Sequence, residues 1–299
     1  RGNWDTMSML YHNKPDARVF ADKNLLLVGS LSQFEAYPKT TIGDISAIMA
    51  HRMPAIGRPF YAPDFKTGLM SEWEEKIERT VALTKDDPDL YMIAGVPTWN
   101  IVLFRKLLEV TGKENILEVW PNLSVYVHGG VGFAPYKEQF KRFLPKDDFV
   151  YMEAYNAYEG FFATQQFLED EDMLLLLNNG VYYEFLPMEE WDSEHPIAIP
   201  LEEVEIGKNY AMLISTNAGL WRYRIGDTVT FTYKYPYKIK ITGRTKHFLS
   251  LCGEHLSVDN MTKALELVAN DYDVSFEEFT VCGIPYKGFF AHEWYISCD

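Results

Sequence analysis

The sequence has 299 residues, of which 47% are hydrophobic, so it is long enough to bury one large core or two smaller ones. Acidic residues outnumber basic residues by 43 to 28, and the resulting charge of −15 repels nucleic acid and anionic membranes. A single nucleotide remains a possible ligand, because one magnesium ion and a few local donors can offset its charge. No apolar run has the roughly 18 residues of a membrane helix and no signal peptide is recognisable, so we expect a cytosolic protein.

Strand and helix patterns alternate through the first half of the chain. Short apolar runs predict buried parallel strands at 24–30, 91–96, 124–130 and 149–155. Helical spacing is found between them at 71–84, 98–110 and 135–144. We expect Ser71 to cap the first of these helices, Pro97-Thr98 to open the second and Gly112 to close it. Three strand–helix–strand passages predict an α/β sheet whose ligand crevice lies beyond the carboxyl ends of the strands.

The second half of the chain has the pattern of an antiparallel sheet. Two apolar runs joined at Asn179-Gly180 predict a hairpin, since both turn residues tolerate positive φ. Further strands are predicted at 210–216, 219–233 and 237–244, followed by a helix at 257–270. We therefore expect a large first domain over residues 1–244 and the start of a smaller α+β domain over 245–299.

A glycine-containing stretch, HGGVGFAP at 128–135, follows one of the predicted parallel strands. Glycines at that position let a flat ligand lie against the backbone, although a tight strand-to-helix turn explains them equally well. Gly130-x-Gly132 is not a dinucleotide fingerprint, since Pro135 takes the third glycine position. Gly112-Lys113 likewise lacks the first glycine of a P-loop.

A carboxylate flanked by tyrosines follows the next strand, in EAYNAYEG at 153–160. We expect Tyr155, Tyr158 and Glu159 to emerge at the edge of the sheet, beside the glycines. A tyrosine face can stack on a purine, and a carboxylate held there can bind a magnesium ion that bridges phosphate oxygens. The alternative is a solvated glutamate after a core strand.

Two arginines, a glycine and an aspartate occur together in GLWRYRIGD at 219–227. Gly226 permits a sharp turn, and Asp227 could accept both hydroxyls of a ribose. A salt-bridged surface strand is the alternative interpretation. Arg244 and Lys246 lie at the predicted domain boundary, where a cation could meet a nucleotide and change partners when the second domain rotates.

The order of five motifs resembles one enzyme family. In chain order the motifs are HGGVGFAP, AYNAYEG, YEFLPM, GLWRYRIGD and GRTKHFLSLCGEHLS. This order resembles the acyl-adenylate-forming enzymes and, within them, the bacterial branch of the auxin-responsive Gretchen Hagen three acyl-acid amido synthetases. The resemblance runs from about Leu25 to the end of the chain, and it implies an α/β fold with a large mixed sheet plus part of a smaller α+β domain.

The resemblance implies a role for each residue that matches a family motif. Tyr155 would stack on adenine, with Gly129 and Gly130 approaching the ring from the other side. Glu159, followed by Gly160 in the family's S/T-E-G position, would bind magnesium on the triphosphate of ATP. Asp227 would accept the ribose hydroxyls, while Arg244 and Lys246 would lie at the ribose and the hinge. These groups are expected to converge on one adenosine-shaped cleft.

Two departures from the family pattern are visible. Tyr158 replaces the small hydroxyl residue whose OH reaches the α-phosphate; a phenol can still donate, but it reaches further. The Ser/Thr/Gly-rich phosphate loop is absent, and the chain begins with Arg1, so we expect a piece of a longer protein that begins after that loop.

The resemblance implies an ATP-dependent carbon–nitrogen ligase with ATP and Mg2+ as cofactors. A carboxylic acid would be adenylated and its acyl group passed to the amine of an amino acid. One alternative keeps the adenylation but ends in a thioester with coenzyme A. Another is a non-catalytic nucleotide-binding or scaffold protein. We expect small-molecule partners only, no nucleic acid and no membrane; the sequence does not reveal the oligomeric state, with a monomer slightly favoured.

Overall fold

The computed structural model describes residues 2–33, 37, 40–130, 132–245, 258–272, 274, 276–286 and 289–298. Its contacts divide the chain into two compact units. The parallel unit comprises Thr6–Phe133 and Lys137–Tyr158. The antiparallel unit comprises Arg1–Asp5, Ala134–Tyr136 and Glu159–Asp299. The predicted domain boundary near residue 244 stays a prediction.

The parallel unit is built from strands that alternate with helices. The strands are β1 Lys23–Leu26, β2 Leu31–Gln33, β3 Thr41–Gly43, β4 Tyr61–Ala62, β5 Leu90–Ala94, β6 Val125–His128 and β7 Val150–Ala157. The helices are α1 Gly2–Asn13, of which only the part from Thr6 onward belongs to this unit, α2 Ile45–His51, α3 Phe65–Gly68, α4 Trp73–Thr84, α5 Pro97–Thr111 and α6 Lys137–Phe143. Strands β4, β1, β5, β6 and β7 pair in that order and are all parallel, so their carboxyl ends lie at one edge. The predicted parallel arrangement is confirmed.

The ends of two helices show how far local sequence fixes the structure. Pro97 is the first residue of α5, and Gly112 closes it in the left-handed region with φ of 67° and an N–H bond to the Leu108 carbonyl of 2.8 Å, as predicted. The predicted cap at Ser71 is wrong, because the N-cap position is Glu72, whose side chain makes no capping hydrogen bond, and α4 begins at Trp73. Packing sets this start, since the Trp73 ring lies 5.2 Å from the Trp99 ring of α5.

Large aromatic side chains form much of the core of the parallel unit. The Tyr126 ring of β6 stacks on the Phe140 ring of α6 with their centroids 4.7 Å apart. Trp120 and Phe104 are also fully buried, and the Trp120 indole N–H donates to the Thr84 carbonyl at 2.8 Å. Burying each such side chain contributes roughly 1.5–3 kcal/mol, so this cluster is a major source of the unit's stability.

The antiparallel unit contains the later strands and one long helix. They are β8 Gly160–Gln165, β9 Met173–Leu175, β10 Val181–Pro187, β11 Ile199–Pro200, β12 Asn209–Thr216, β13 Tyr223–Lys234, β14 Tyr237–Arg244, α7 Val258–Tyr272, β15 Phe276–Tyr286 and β16 Phe289–Cys298. Strands β8, β9, β14, β13, β12, β10 and β11 follow one another in space. Neighbouring strands in this order pair antiparallel, as predicted, and β15 pairs with β16.

The predicted hairpin at Asn179-Gly180 is wrong. Gly180 does turn the chain with φ of 83°, but the runs on its two sides do not pair with each other. Strand β9 already pairs with β8 on one edge and β14 on the other, which leaves no edge for β10. Strand β10 pairs instead with β12 and β11. Long-range strand pairing therefore overrides a strong local turn signal.

The helices in the described part of the chain are short by the standard of membrane spans. The two longest, α5 and α7, have 15 residues each. Within the described ranges, no helix combines the length and the apolarity that crossing a lipid bilayer requires.

Candidate functional site

Glycines follow two neighbouring parallel strands at the carboxyl edge of the parallel unit. Gly95 follows β5, and Gly129 and Gly130 follow β6. Gly95 has φ of 145° and Gly130 has φ of 85°, values that side-chain-bearing residues rarely adopt. The carboxyl edge of such a sheet is where ligands of α/β proteins bind, and glycines there let a ligand approach the backbone.

Gly129 and Gly130 differ in what surrounds them. A Cβ atom on Gly129 would collide with the Ala154 carbonyl of β7, so this glycine is needed for close packing of two strands. A Cβ atom on Gly130 would meet only Val96, at 3.5 Å, and Gly130 is exposed. Of the two, Gly130 is therefore the residue that can present bare backbone to a ligand.

The two tyrosines near the end of β7 have opposite environments. Tyr155, within β7, has an exposed fraction of 5%. Tyr158, after the end of the strand, has an exposed fraction of 66%, and its hydroxyl donates to Asp44 Oδ1 at 3.1 Å. The strand thus buries the first ring and presents the second at the edge.

Asp44 is held on both sides of its carboxylate. It precedes α2, and its Oδ2 accepts the Ser30 N–H at 2.9 Å while its Oδ1 receives the Tyr158 phenol. Gly29 makes room for it, because a Cβ atom on Gly29 would collide with the Asp44 carboxylate. The segment that follows β1 is therefore shaped around this side chain.

A buried lysine forms hydrogen bonds with the backbone of the same segment. Lys76 of α4 has an exposed fraction of 2%, and its Nζ donates to the carbonyls of Val28 and Gly29, each at 2.9 Å. Burial lowers the pKa of Lys76, and the negative charge of Asp44 acts in the opposite direction. Lys76 thus fixes the backbone from which Ser30 reaches Asp44.

The antiparallel unit places Glu159 next to a tyrosine of another motif. Glu159 and Gly160 begin the unit, with Gly160 as the first residue of β8. The Glu159 carboxylate raises the pKa of the Tyr223 phenol, through its charge and through the hydrogen bond between the two side chains. Tyr223 is the first residue of β13. The predicted metal ligand therefore lies close to the first residue of the strand that carries Asp227.

Asp227 is buried in the same strand and engaged by Arg244. Its exposed fraction is 6%, and its Oδ1 lies 3.1 Å from Arg244 Nε across the β13–β14 pair. Gly226 has φ of 93° at a shift in register between β12 and β13, so it forms a bulge that sets the direction of Asp227. Lys246 lies outside the described residues.

The residues present fit a magnesium ion that arrives with a nucleotide. Glu159 is partly exposed and carries several lone pairs, of which the Tyr223 hydroxyl takes one. In the part of the chain that the structure describes, no three His, Cys, Asp or Glu side chains are grouped to hold a metal. Mg2+ commonly binds through one or two carboxylates together with phosphate oxygens and waters, so a single glutamate suits this mode.

Sequence reasoning identified the motifs but missed several partners. Tyr223 stood inside a quoted motif without an assigned role, and Asp44 and Lys76 stood in none. The Tyr158–Asp44 contact joins residues 114 positions apart, and the Lys76 contacts span 47 and 48 positions. The sequence signal that could have pointed to Lys76 is a single lysine among acidic neighbours in the helical stretch SEWEEKIERT.

Comparison with known proteins decides the family. The sequence profile of the GH3 family N-terminal domain matches residues 31–149, and that of the GH3 family central domain matches residues 174–244. The chain belongs to the GH3 family. GH3 abbreviates Gretchen Hagen three, so the family inferred from the motif order is confirmed.

Curated relatives agree with this assignment, and solved structures share the fold. Indole-3-acetic acid-amido synthetase GH3.3 of Arabidopsis thaliana is 30% identical over 171 residues, which is 54% of this chain and 29% of that protein. The GH3.15 acyl acid amido synthetase structure superposes with a TM-score of 0.78 at 16% identity, covering 98% of this chain and 60% of that one. A 2-hydroxyisobutyryl-CoA ligase structure gives 0.59 at 13% identity, covering 87% and 51%.

These comparisons confirm the fold class that the sequence predicted. The chain has the mixed α/β fold of GH3 and acyl-adenylate-forming enzymes, with parallel and antiparallel strands. The chain matches 29% of the length of GH3.3 and 60% of the GH3.15 chain. The activity of a whole GH3 enzyme is therefore only proposed for this protein, in the next subsection.

Proposed function

We propose that this GH3 chain carries the nucleotide-binding part of an ATP-dependent acyl-acid amido synthetase, of the bacterial branch that its motifs resemble. The enzyme adenylates a carboxylic acid and transfers the acyl group to the amine of an amino acid. The names of its relatives support this proposal, since GH3.3 is an indole-3-acetic acid-amido synthetase and GH3.15 an acyl acid amido synthetase. We propose a cytosolic location, from the composition of the chain alone.

One observation carries the proposal. Strand β13 contacts residues of two other motifs in the antiparallel unit: Tyr223 at its start contacts Glu159, and Asp227 contacts Arg244. Residues that are distant in sequence and that the family resemblance assigns to ATP are thus connected through a single strand. If β13 were only a salt-bridged surface strand, there would be no reason for it to contact both of these residues.

The proposed roles follow from the chemistry of each side chain. Glu159 would hold Mg2+, which when bound neutralises charge on the phosphate oxygens. Asp227 would accept ribose hydroxyls, with Arg244 fixing the orientation of its carboxylate, and Lys246 would act with Arg244 at the hinge. In the parallel unit Gly130 would present backbone to adenine with Gly129 behind it. The expectation that Tyr155 emerges at the edge is wrong, because its ring is buried in β7 and is not exposed for stacking on the base.

The proposed reaction has two steps, adenylation and acyl transfer. A carboxylate oxygen of the acid attacks the α-phosphorus of ATP, and the bond to the bridging oxygen breaks with loss of pyrophosphate. The amine nitrogen of the amino acid then attacks the acyl carbonyl carbon, AMP departs with the bonding electrons, and the nitrogen loses a proton. Adenylation is needed because a free carboxylate is a poor electrophile.

Substitution of Glu159 tests the proposal. Glu159→Gln keeps the volume of the side chain but removes its charge, so we expect acid-dependent pyrophosphate release to fall at least 100-fold, roughly the loss of one strong electrostatic contact in the transition state. Glu171→Gln is the matched control, because Glu171 is exposed and pairs with Lys240 at the surface. Its activity should stay within about twofold of the parent. Circular dichroism and thermal melting check that both variants fold.

Two results would contradict the proposal. If Glu159→Gln folds and keeps full activity, Glu159 is not the metal ligand. If it unfolds, Glu159 is structural.

A coenzyme A ligase is the second candidate, because a CoA ligase shares the fold. Trapping the activated acid with amino acids or with coenzyme A separates the two functions. An amide product supports the amido synthetase, and a thioester supports the CoA ligase.

A further inference from the structure

The Tyr158 phenol donates a hydrogen bond to the Asp44 carboxylate, and this bond limits which other groups the phenol can donate to. A phenol has a single O–H proton, and in this structure the proton is donated to Asp44 Oδ1 at 3.1 Å. While that bond stands, the hydroxyl cannot donate to a phosphate oxygen. In this structure the phenol of Tyr158 is therefore engaged by Asp44, where the resembling family has a small hydroxyl residue that reaches the α-phosphate.

The Asp44 carboxylate is a rigid anchor for the ring. Its Oδ2 accepts the Ser30 N–H at 2.9 Å, and the backbone before Ser30 is fixed by the buried Lys76 amine. Ser46 adds a further bond, since its hydroxyl accepts the Gly29 N–H at 3.0 Å. Oδ2 of the anchor is thus held by a backbone segment that side chains of α2 and α4 fix in place.

The anchored ring extends along the carboxyl edge of the parallel strands. Tyr158 follows β7 and Asp44 contacts the segment that follows β1, and β5 and β6 lie between these two strands. Adjacent strands are about 4.8 Å apart, so β7 and β1 are separated by roughly 14 Å, and the two side chains meet across this gap. The ring has an exposed fraction of 66%, so a ligand at this edge would touch it.

We propose that Tyr158, anchored by Asp44, is a specificity-determining residue that restricts the acid substrate to compact acyl groups. The inference rests on the proposed function, in which the acid's carboxylate must reach the phosphate beside Glu159, the residue after Tyr158. The atoms attached to that carboxylate then lie against the Tyr158 ring. A fixed aromatic ring at this point excludes acids that carry a large group close to the carboxyl carbon.

The test compares acid binding and acid turnover in four proteins. The parent chain, Tyr158→Ser, Tyr158→Phe and Asp44→Asn are titrated with acetate, benzoate, phenylacetate and indole-3-acetate, with binding followed by calorimetry. Pyrophosphate release with Mg2+ and ATP is measured separately on the same acids. Tyr182→Ser is the matched control, because Tyr182 has a similar exposed fraction of 61% but lies in β10 of the antiparallel unit.

We expect the parent to bind acetate and benzoate in preference to indole-3-acetate. Tyr158→Ser should shift the ratio of indole-3-acetate to benzoate affinity at least tenfold toward the larger acid. Tyr158→Phe and Asp44→Asn should shift it less, about threefold and in the same direction, because the ring remains but loses its anchor. Tyr182→Ser should leave the ratio unchanged.

The outcomes separate the inference from the proposed function. A shift in binding selectivity without pyrophosphate release from any protein supports the inference and contradicts the proposed function. Unchanged selectivity in folded Tyr158→Ser, or no acid binding in any of the proteins, overturns the inference. Loss of turnover on every acid in Tyr158→Phe, with Asp44→Asn fully active, also overturns it and makes Tyr158 a phosphate donor.

Discussion

His128 is a buried imidazole at the end of β6. Its exposed fraction is 5%, and its ring stacks on Phe133 with the centroids 4.1 Å apart. Among the described residues no hydrogen-bond partner reaches its Nδ1. Burial lowers its pKa from 6.5 to about 3, so the ring is neutral at physiological pH. The aromatic neighbours Tyr126 and Phe133 do not supply a compensating negative charge in acid.

His128 should make the protein acid-sensitive in a defined pH range. Its pKa is lower in the folded state, so the unfolded state binds the extra proton, and stability falls as the pH drops below the unfolded pKa of about 6.5 toward the folded value. The loss is at most about 1.4 kcal/mol per pH unit, or roughly 2 kcal/mol between pH 6.5 and pH 5. His128→Phe removes this titration, and urea unfolding at several pH values measures the difference in slope.

An exposed histidine provides the control for this prediction. His195→Gln removes an imidazole from an exposed position and should leave the pH dependence of unfolding as it is in the parent. If the parent and His128→Phe lose stability in parallel between pH 7 and pH 5, His128 does not govern acid sensitivity.

Sequence could predict residues that form a motif, but not the partners that orient them. Glu159 and Asp227 were found because short motifs surround them. Tyr223 contacts Glu159 across 64 positions, and Asp44 contacts Tyr158 across 114. Such contacts depend on which strand ends become neighbours, and this is a property of the sheet order and not of local sequence.

At the scale of elements, prediction succeeded where a single local cause dominates. The apolar runs that became β1, β5 and β6 are buried because both faces of a parallel sheet are covered. Prediction failed at Asn179-Gly180, because the pairing of β9 with β8 and β14 is decided by residues far away in sequence. It also placed the N-cap of α4 one residue early, at Ser71 and not Glu72, next to Trp73, which packs on Trp99 of α5.

The end of α5 allows a clean measurement of a left-handed backbone position. Gly112 has φ of 67°, and a Cβ atom there would meet nothing within 4 Å, so Gly112→Ala adds backbone strain without a steric clash. The strain of about 1–2 kcal/mol, partly offset by the lower entropy of unfolded alanine, should reduce the free energy of unfolding by about 1 kcal/mol. Urea denaturation measures this change.

Gly132 is the matched control for the α5 prediction. A Cβ atom on Gly132 would also meet nothing within 4 Å, and its φ lies outside the strained positive range. Gly132→Ala should therefore be neutral or slightly stabilising. Equal effects of the two substitutions would show that the φ angle of Gly112 does not limit stability.

At the scale of the whole molecule, composition and motif order predicted the class but not the division of the chain. The α/β class follows from the alternation of strand and helix patterns, and the family follows from the order of five motifs. The last boundary between the two compact units along the chain falls between Tyr158 and Glu159, in the middle of a motif, and no change in composition marks that point. Contact density, which creates the division, depends on pairings that sequence patterns do not encode.

The net charge of −15 predicts how the protein should bind ATP. Free ATP carries about four negative charges near pH 7, and its magnesium complex carries about two, so the acidic protein repels the free nucleotide more strongly. Glu159 adds a local reason for magnesium dependence if it holds the metal. We expect ATP to bind at least tenfold more tightly with Mg2+ than with EDTA, and the difference to shrink at high salt, because screening weakens repulsion beyond about 8 Å at physiological ionic strength.

Adenosine is the control that separates the base and ribose contacts from charge. It is neutral, so its affinity should be the same with Mg2+ and with EDTA and should not depend on salt. In Glu159→Gln the magnesium advantage for ATP should fall to the part that comes from net charge, which is the part that salt removes. Equal ATP affinity with and without Mg2+, measured by calorimetry on the parent protein, would contradict both the proposed metal ligand and the electrostatic argument. A magnesium effect on adenosine would show that the ion acts on the protein and not on the phosphates.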